Sequence, residues 1–277
     1  LLIPGASAPL FSTLLMAAIP AQIAGVPYIC VATPPQPDGR VHPAVLAAAH
    51  AIGITNVYKI FGAQAISALA YGTESIPRVD KLVGPGNPYV QIAKKLVFGT
   101  VDIDMVAGPS EIVVVADDTA QAKHIAGDLL SQAEHGSGFE SAVCITPSAK
   151  LAEEVAKEVA AQAADLSSKE AIQKALDRFG AVVVVKDIPE GIDLANRIAP
   201  EHIELIIADP WAHLESVKHA GAVFMGPASS EPVGDYYAGT NHILPTAGAA
   251  RFASSVGVDT FEKTISIVHY TEKRLKK

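Results

Sequence analysis

The chain has 277 residues, enough for one large domain or two medium ones, and a formal net charge of -8 that argues against nucleic acid or an anionic membrane surface as its main partner. It is 49% hydrophobic with only 6% aromatic residues, the composition of a layered α/β protein with a large core. Two cysteines, Cys30 and Cys144, sit in apolar runs and read as buried reduced thiols; no apolar stretch of about eighteen residues suggests a membrane span, no basic segment marks a signal peptide, and a cytoplasmic enzyme is expected.

The elements alternate along the chain. Ser12 to Ala24 has helical spacing of apolar residues, and Val26 to Ala32 reads as a buried strand closed by Pro34 and Pro35. A helix follows from Pro43 to Ile52, a strand from Asn56 to Phe61, a helix from Ala63 to Tyr71 and a brief strand from Lys81 to Val83. Pro88 to Phe98 is helical, with proline suited to the first turn. Next come a β-branched strand from Ile112 to Ala116, a helix from Thr119 to His135 that Asp117 or Asp118 can cap, and a strand from Ser141 to Thr146. Helices over Lys150–Ala164 and Lys169–Phe179, a strand over Ala181–Val185, a helix over Pro189–Ile198 and a strand over Ile203–Ile207 continue the pattern. Trp211 to His219 reads as a short helix, Ala222 to Met225 as a strand, and the rest after Gly248 is less regular.

This alternation predicts two Rossmann-like, open, mostly parallel sheets flanked by helices. The expected units are 1–110 and 111–256, followed by a tail over 257–277. In open α/β sheets ligands sit at the carboxyl ends of strands, which directs attention to the loops after Val83, Ile207 and Met225.

Several motifs carry chemistry. In Ser131-Gln132-Ala133-Glu134-His135, ahead of Gly136, Gln132 and His135 lie three apart and share a helix face. An amide oxygen and an imidazole converging there suit zinc. The competing reading is a helix-end histidine near the last carbonyls. Gly84-Pro85-Gly86-Asn87 follows a strand and opens a helix, so its backbone amides can hold an anion such as a pyrophosphate. Tyr89 stands where a G-x-G-x-x-G fingerprint needs its last glycine, and a plain turn remains the alternative. Ser110, in Ala107-Gly108-Pro109-Ser110, reads on its own as a turn residue.

Glu201 and His202 can form a proton-transfer pair, one titrating near neutrality and one able to activate water, or be an exposed pair without a role. Asp235, flanked by Gly234 and two tyrosines, needs a metal or a donor if it is buried and is a turn residue if it is not. His242 is either part of the same site or a hydrogen-bonded structural histidine. The six other histidines lack such company and read as structural or surface residues.

Taken in order, Phe61-Gly-Ala-Gln-Ala-Ile, Gly84-Pro-Gly-Asn, Ala107-Gly-Pro-Ser-Glu, Ser131-Gln-Ala-Glu-His, Ala199-Pro-Glu-His and Gly234-Asp-Tyr through His242-Ile-Leu-Pro-Thr resemble the histidinol dehydrogenase family over essentially the whole chain. The resemblance implies zinc-dependent oxidation of L-histidinol to L-histidine through an aldehyde with two NAD+, by a homodimer. It implies Gln132, His135 and Asp235 as zinc ligands and Glu201 and His202 as the catalytic acid/base pair. Ser110, Gln132, His135, His202, Asp235 and His242 then contact substrate, and Gln64 and Asn87 contact NAD. Two features depart from the family pattern. Leu2 stands where the family commonly has Tyr, and the family's fourth zinc ligand belongs to a C-terminal segment, so this sequence is expected to lack flanking segments. The alternatives are a related dehydrogenase of another small alcohol, an inactive fragment, or a zinc hydrolase using Glu201 to activate water. A glutamine ligand is unusual in hydrolytic zinc sites and counts against the last.

Overall fold

In the computed structural model, which describes residues 1–5 and 10–276, every strand pairing among the described residues is parallel. The first half runs α1 (Phe11–Ile23), β1 (Cys30–Ala32), α2 (Pro43–Ala51), β2 (Asn56–Tyr58), α3 (Ala63–Tyr71), β3 (Lys81–Leu82), α4 (Pro88–Val97) and β4 (Asp102–Ile103). β1 pairs with β2 and β3 with β4. Residues 1–3 stitch the two pairs together: the Ile3 N–H donates to Ala32 O at 2.9 Å and the Leu2 N–H to Val83 O at 2.8 Å. The strands are shorter than the apolar runs that predict them, because Pro27 has no N–H for a ladder and β2 has only a three-residue partner. Leu1 and Ile3 face one core cluster with α1 and α2, while Leu2 faces another with α3 and α4.

The second half runs β5 (Glu111–Ala116), α5 (Ala122–Ala133), β6 (Ser141–Thr146), α6 (Ala149–Asp165), α7 (Lys169–Phe179), β7 (Gly180–Val184), α8 (Ile188–Ile198), β8 (His202–Ile206), β9 (Ala222–Met225), α9 (Glu231–Tyr236) and α10 (Glu272–Leu275). Its sheet has the order β7-β6-β5-β8-β9. β5 is central and covered on both faces, which is why it reads as an unbroken β-branched run. Ile112, Val114 and Ala116 meet α5 and α6, while Val113 and Val115 meet α8.

Three local expectations change. α5 begins only at Ala122, because Asp117 Oδ1 accepts from the Thr119 N–H at 2.9 Å and closes a turn ahead of the helix instead of capping it. Trp211–Ser216 is a single 3-10 stretch. Asp235 lies in a helix and not in a loop, since Pro232 sits in the first turn of α9, where proline suits helix geometry. After α9 the chain returns to the first sheet: Ile243 and Val256 join its core, and the Lys81 ammonium donates to the Thr260 carbonyl. Residues 262–276 are exposed. Both cysteines are buried and free, and no helix among the described residues is long and apolar enough to cross a membrane.

Candidate active site

The two sheets meet at one cleft of about 600 Å³. The first sheet presents its carboxyl ends there, through Pro34 after β1, Gly84–Asn87 after β3 and Asp104 after β4. The second sheet presents its amino ends: Ser110 precedes β5, Glu201 precedes β8 and His202 begins it. The carboxyl-end expectation therefore holds after Val83 and is overturned at Ile207 and Met225. The chain leaving β9 runs back through α9, whose Glu231 N–H donates to Glu204 Oε1 on β8 at 3.0 Å, and this carries Asp235 toward the amino ends. A second cavity, of about 680 Å³, lies at the amino ends of the first sheet and contains none of the motif residues.

α5 ends at Ala133, so His135 stands just beyond the helix. Its backbone N–H lies 3.2 Å and its Nδ1 3.0 Å from the Gln132 carbonyl. An Nδ1 proton donated to that carbonyl leaves Nε2 free to accept or ligate. His135 is therefore tied to the last carbonyls of the helix, and Gly136, at φ +93°, takes the chain away. Gln132 is 1% exposed, yet among the described residues neither its amide nitrogen nor its amide oxygen has a hydrogen-bond partner. Leaving such groups unpaired costs about 1–3 kcal/mol apiece, a cost that a partner bound in the cleft would relieve.

The α8–β8 connection fixes the next two groups. Asp187 caps α8 through the Glu190 N–H at 3.0 Å, and the helix ends on buried Ala199 in the left-handed region, at φ 55°. Glu201 and His202 follow, both buried. Glu201 Oε2 accepts from the Glu111 N–H at 3.1 Å, and His202 Nδ1 lies 3.1 Å from the Glu111 carbonyl. The start of β5 therefore orients both side chains and leaves His202 Nε2 free. Burial lowers the His202 imidazole to about 4, with the charges of His135 and His242 adding to the effect against the Glu111 hydrogen bond. Burial also pushes Glu201 well above the ordinary carboxyl value. Near neutrality the histidine is therefore an uncharged acceptor, and burial makes the glutamate hold its proton more tightly than an exposed carboxyl does.

Asp235 is pushed up to about 7, first by burial and then by the neighbouring Glu231. His242 Nδ1 lies 3.7 Å from Asp235 Oδ2, while its Nε2 lies 3.2 Å from Thr13 Oγ1. The same segment braces the Ala107–Ser110 strap: Thr246 Oγ1 accepts from the Gly108 N–H, and Glu111 Oε2 accepts from the Ala247 N–H at 3.1 Å. Gln132, His135, Glu201, His202, Asp235, His242, Ser110 and Asn87 all line the cleft. Gln64 does not; it is exposed in the first turn of α3, beside Gly62.

Two buried acids close to these groups, Glu231 and Glu204, were not singled out from the sequence. Glu231 is 5% exposed, and its Oε2 accepts from Ser131 Oγ at 3.2 Å. Ligand atoms of His202, Glu231 and Asp235 lie within 4.8 Å of one another, so these three could also hold a metal. Glu231 and Asp235 are four apart and share a face of α9, a relation visible only once Pro232 is read as a helix start. Glu204 lies inside β8 and is 1% exposed. Burial first, and then Asp128, push it up to about 9. A glutamate inside the apolar run Ile203–Ile207 was the available signal, since acids are rarely buried without a partner.

Comparison with known proteins answers this geometry. The family model described as histidinol dehydrogenase matches residues 1–277. A histidinol dehydrogenase of Bacillus cereus is 54% identical over 274 residues, covering 99% of this chain and 63% of its own length. One from Geobacillus kaustophilus is 53% identical, covering 100% of this chain and 65% of its own length. The crystal structure of histidinol dehydrogenase from Elizabethkingia anophelis superposes with a TM-score of 0.94 at 44% identity, over 99% of this chain and 63% of that one. The chain thus spans a little under two thirds of these relatives. With its whole length matched at about half identity and its backbone superposing so closely, the chain belongs to the histidinol dehydrogenase family.

Proposed function

We propose that the chain is the part of a histidine-biosynthetic dehydrogenase that oxidises L-histidinol to L-histidine through an aldehyde, using zinc and two NAD+. The observation that carries this reading is the buried, unpartnered Gln132 amide in one cleft with His135, Asp235, Glu201 and His202. Gln132, His135 and Asp235 offer one amide oxygen, one imidazole and one carboxylate, a donor set that fits zinc. When bound, zinc supplies a Lewis acid and NAD+ a hydride acceptor.

The chain's own residues handle the protons. His202 Nε2, held free by the Glu111 carbonyl on the other ring nitrogen, accepts the proton of the alcohol. Glu201, oriented by the Glu111 N–H, takes a proton from the water that hydrates the aldehyde before the second oxidation. Ser110 and His242 hold the substrate. Asn87, with the Gly84–Asn87 amides at the start of α4, holds NAD, and Gln64 is the second cofactor contact taken from the family. The working enzyme is a cytoplasmic homodimer in this reading. The test is NADH formation by the purified protein: turnover of L-histidinol that stops on chelation and returns with zinc supports the reading. NAD+-independent chemistry, or turnover of other alcohols but not L-histidinol, removes it.

A further inference from the structure

We propose that Lys94, Asp104 and Gln91 form a buried strut that sets the geometry of the Gly84–Asn87 loop for its cofactor and ties that loop to the Ala107–Ser110 strap. The proposal rests on the reading of Gly84–Asn87 as an NAD contact.

Lys94 is fully buried, and its ammonium pairs with the Asp104 carboxylate, itself 1% exposed. The two groups grip one residue from both sides. Lys94 Nζ donates to the Gly84 carbonyl at 3.0 Å, and the Gly84 N–H donates to Asp104 Oδ2 at 2.7 Å. The Met105 N–H donates to Asp104 Oδ1 at 2.7 Å, so the carboxylate is anchored in turn. Only glycine fits at the Gly84 position. Its φ is 126°, and a Cβ there would run into the Leu2 carbonyl.

Gln91 lies one turn earlier on the same face of α4. Its Nε2 lies 3.4 Å from the Gly86 carbonyl, and its Oε1 accepts from the Ala107 N–H at 2.9 Å. One helix face therefore fixes the loop proposed to hold NAD and the strap that leads to Ser110 and to Glu111, the residue that orients Glu201 and His202. A buried ion pair is often no more stabilising than an apolar pair of the same volume, so general stability is a poor account of this one. Its geometry serves the loop: both backbone groups of Gly84 are committed, leaving the amides after it fixed in position.

The test is NAD+ titration of the purified protein, with zinc content and thermal unfolding measured on the same samples. The variants are Lys94→Met/Asp104→Asn, which removes the Lys94 half of the grip and the ion pair without stranding a charge; Gln91→Leu, which leaves the ion pair intact; and Asn87→Ala as the benchmark for the loop. The strut variants should lose NAD+ affinity by roughly tenfold, the effect of about one displaced hydrogen bond to the cofactor, while keeping the zinc content of the unsubstituted protein. Unchanged NAD+ affinity in both strut variants, with affinity lost in Asn87→Ala, overturns the proposal alone. Unchanged affinity in all three removes the cofactor reading of the loop and the proposal with it. A uniform fall in zinc content, thermal stability and NAD+ affinity overturns it in favour of general structural support. Should the double variant fail to fold, Gln91→Leu decides by the same criteria.

Discussion

Gln132→Leu separates a ligand from a structural residue, because the two roles predict opposite changes in stability. The Gln132 amide is buried with both polar atoms unpartnered, so the metal-free protein bears their desolvation, about 1–3 kcal/mol for each group. Leucine has similar volume and no polar atom. Without metal the variant should therefore be more stable than the native protein by about 1–3 kcal/mol, since the cavity shape is only partly matched. For a chain of this length that is roughly 2–5 °C in unfolding midpoint, from an unfolding entropy of about 2 cal/mol/K per residue. With zinc in excess the order should reverse. Zinc stabilises the native protein by mass action, about 4 kcal/mol at a thousandfold excess over its dissociation constant, and the variant has lost a ligand. The assay is thermal unfolding of both proteins with chelator and with zinc. A variant less stable than the native protein under chelator, or equally stabilised by zinc, would make Gln132 a structural residue and not a ligand.

Three further outcomes follow from the same geometry. Glu204 holds its proton up to about 9 in the folded chain, whereas in the unfolded chain it ionises near 4.5, so native stability is fully present below 4.5 and is lost as pH rises toward 9. Glu204→Gln should lack that loss and gain on the native protein by up to about 1.4 kcal/mol per pH unit in this window, read by denaturant unfolding at several pH values; parallel curves would contradict it. Glu140 behaves with the opposite sign. Burial alone would raise it, but hydrogen bonds from the Ser137 hydroxyl and from backbone N–H groups outweigh burial and hold it below 4.5. Its contribution is present above 4.5 and fades as pH falls through its lower folded value, so Glu140→Gln should cost about 1–3 kcal/mol near neutrality and nothing in strong acid. Glu201→Gln should leave the first NADH of a rapid-mixing experiment largely intact and slow L-histidine formation by roughly a hundred- to ten-thousandfold, since only the second oxidation needs the activated water. Equal slowing of both steps would place Glu201 elsewhere in the reaction.

The parallel α/β architecture was legible because period and punctuation are local. The β-branched Ile112–Ala116 run, the proline at Pro88 and the glycine after His135 each act within a few residues. The grouping of Gln132, His135, Glu201, His202, Asp235 and His242 was legible only through the family resemblance, since nothing local shows that α5, the start of β8 and α9 meet. The site's side of the second sheet was misjudged for the same reason: α9 reverses direction after β9, a tertiary event that the loop chemistry of Gly234–Asn241 does not reveal. Glu231 and Glu204 were missed because a buried acid looks like an exposed one until its neighbours are known. The strut on α4 was invisible too, as Gln91 and Lys94 read as ordinary polar residues of an amphipathic helix.

In the proposed enzyme Gln132, His135 and Asp235 hold one zinc ion at the junction of the two sheets. Anomalous X-ray scattering from a zinc-loaded crystal locates the ion directly. A single peak is expected at roughly 2.0–2.2 Å from an imidazole nitrogen of His135, from the Asp235 carboxylate and from the Gln132 amide oxygen. A peak held by His202, Glu231 and Asp235 with Gln132 still unbound, or no peak in the cleft, would contradict it.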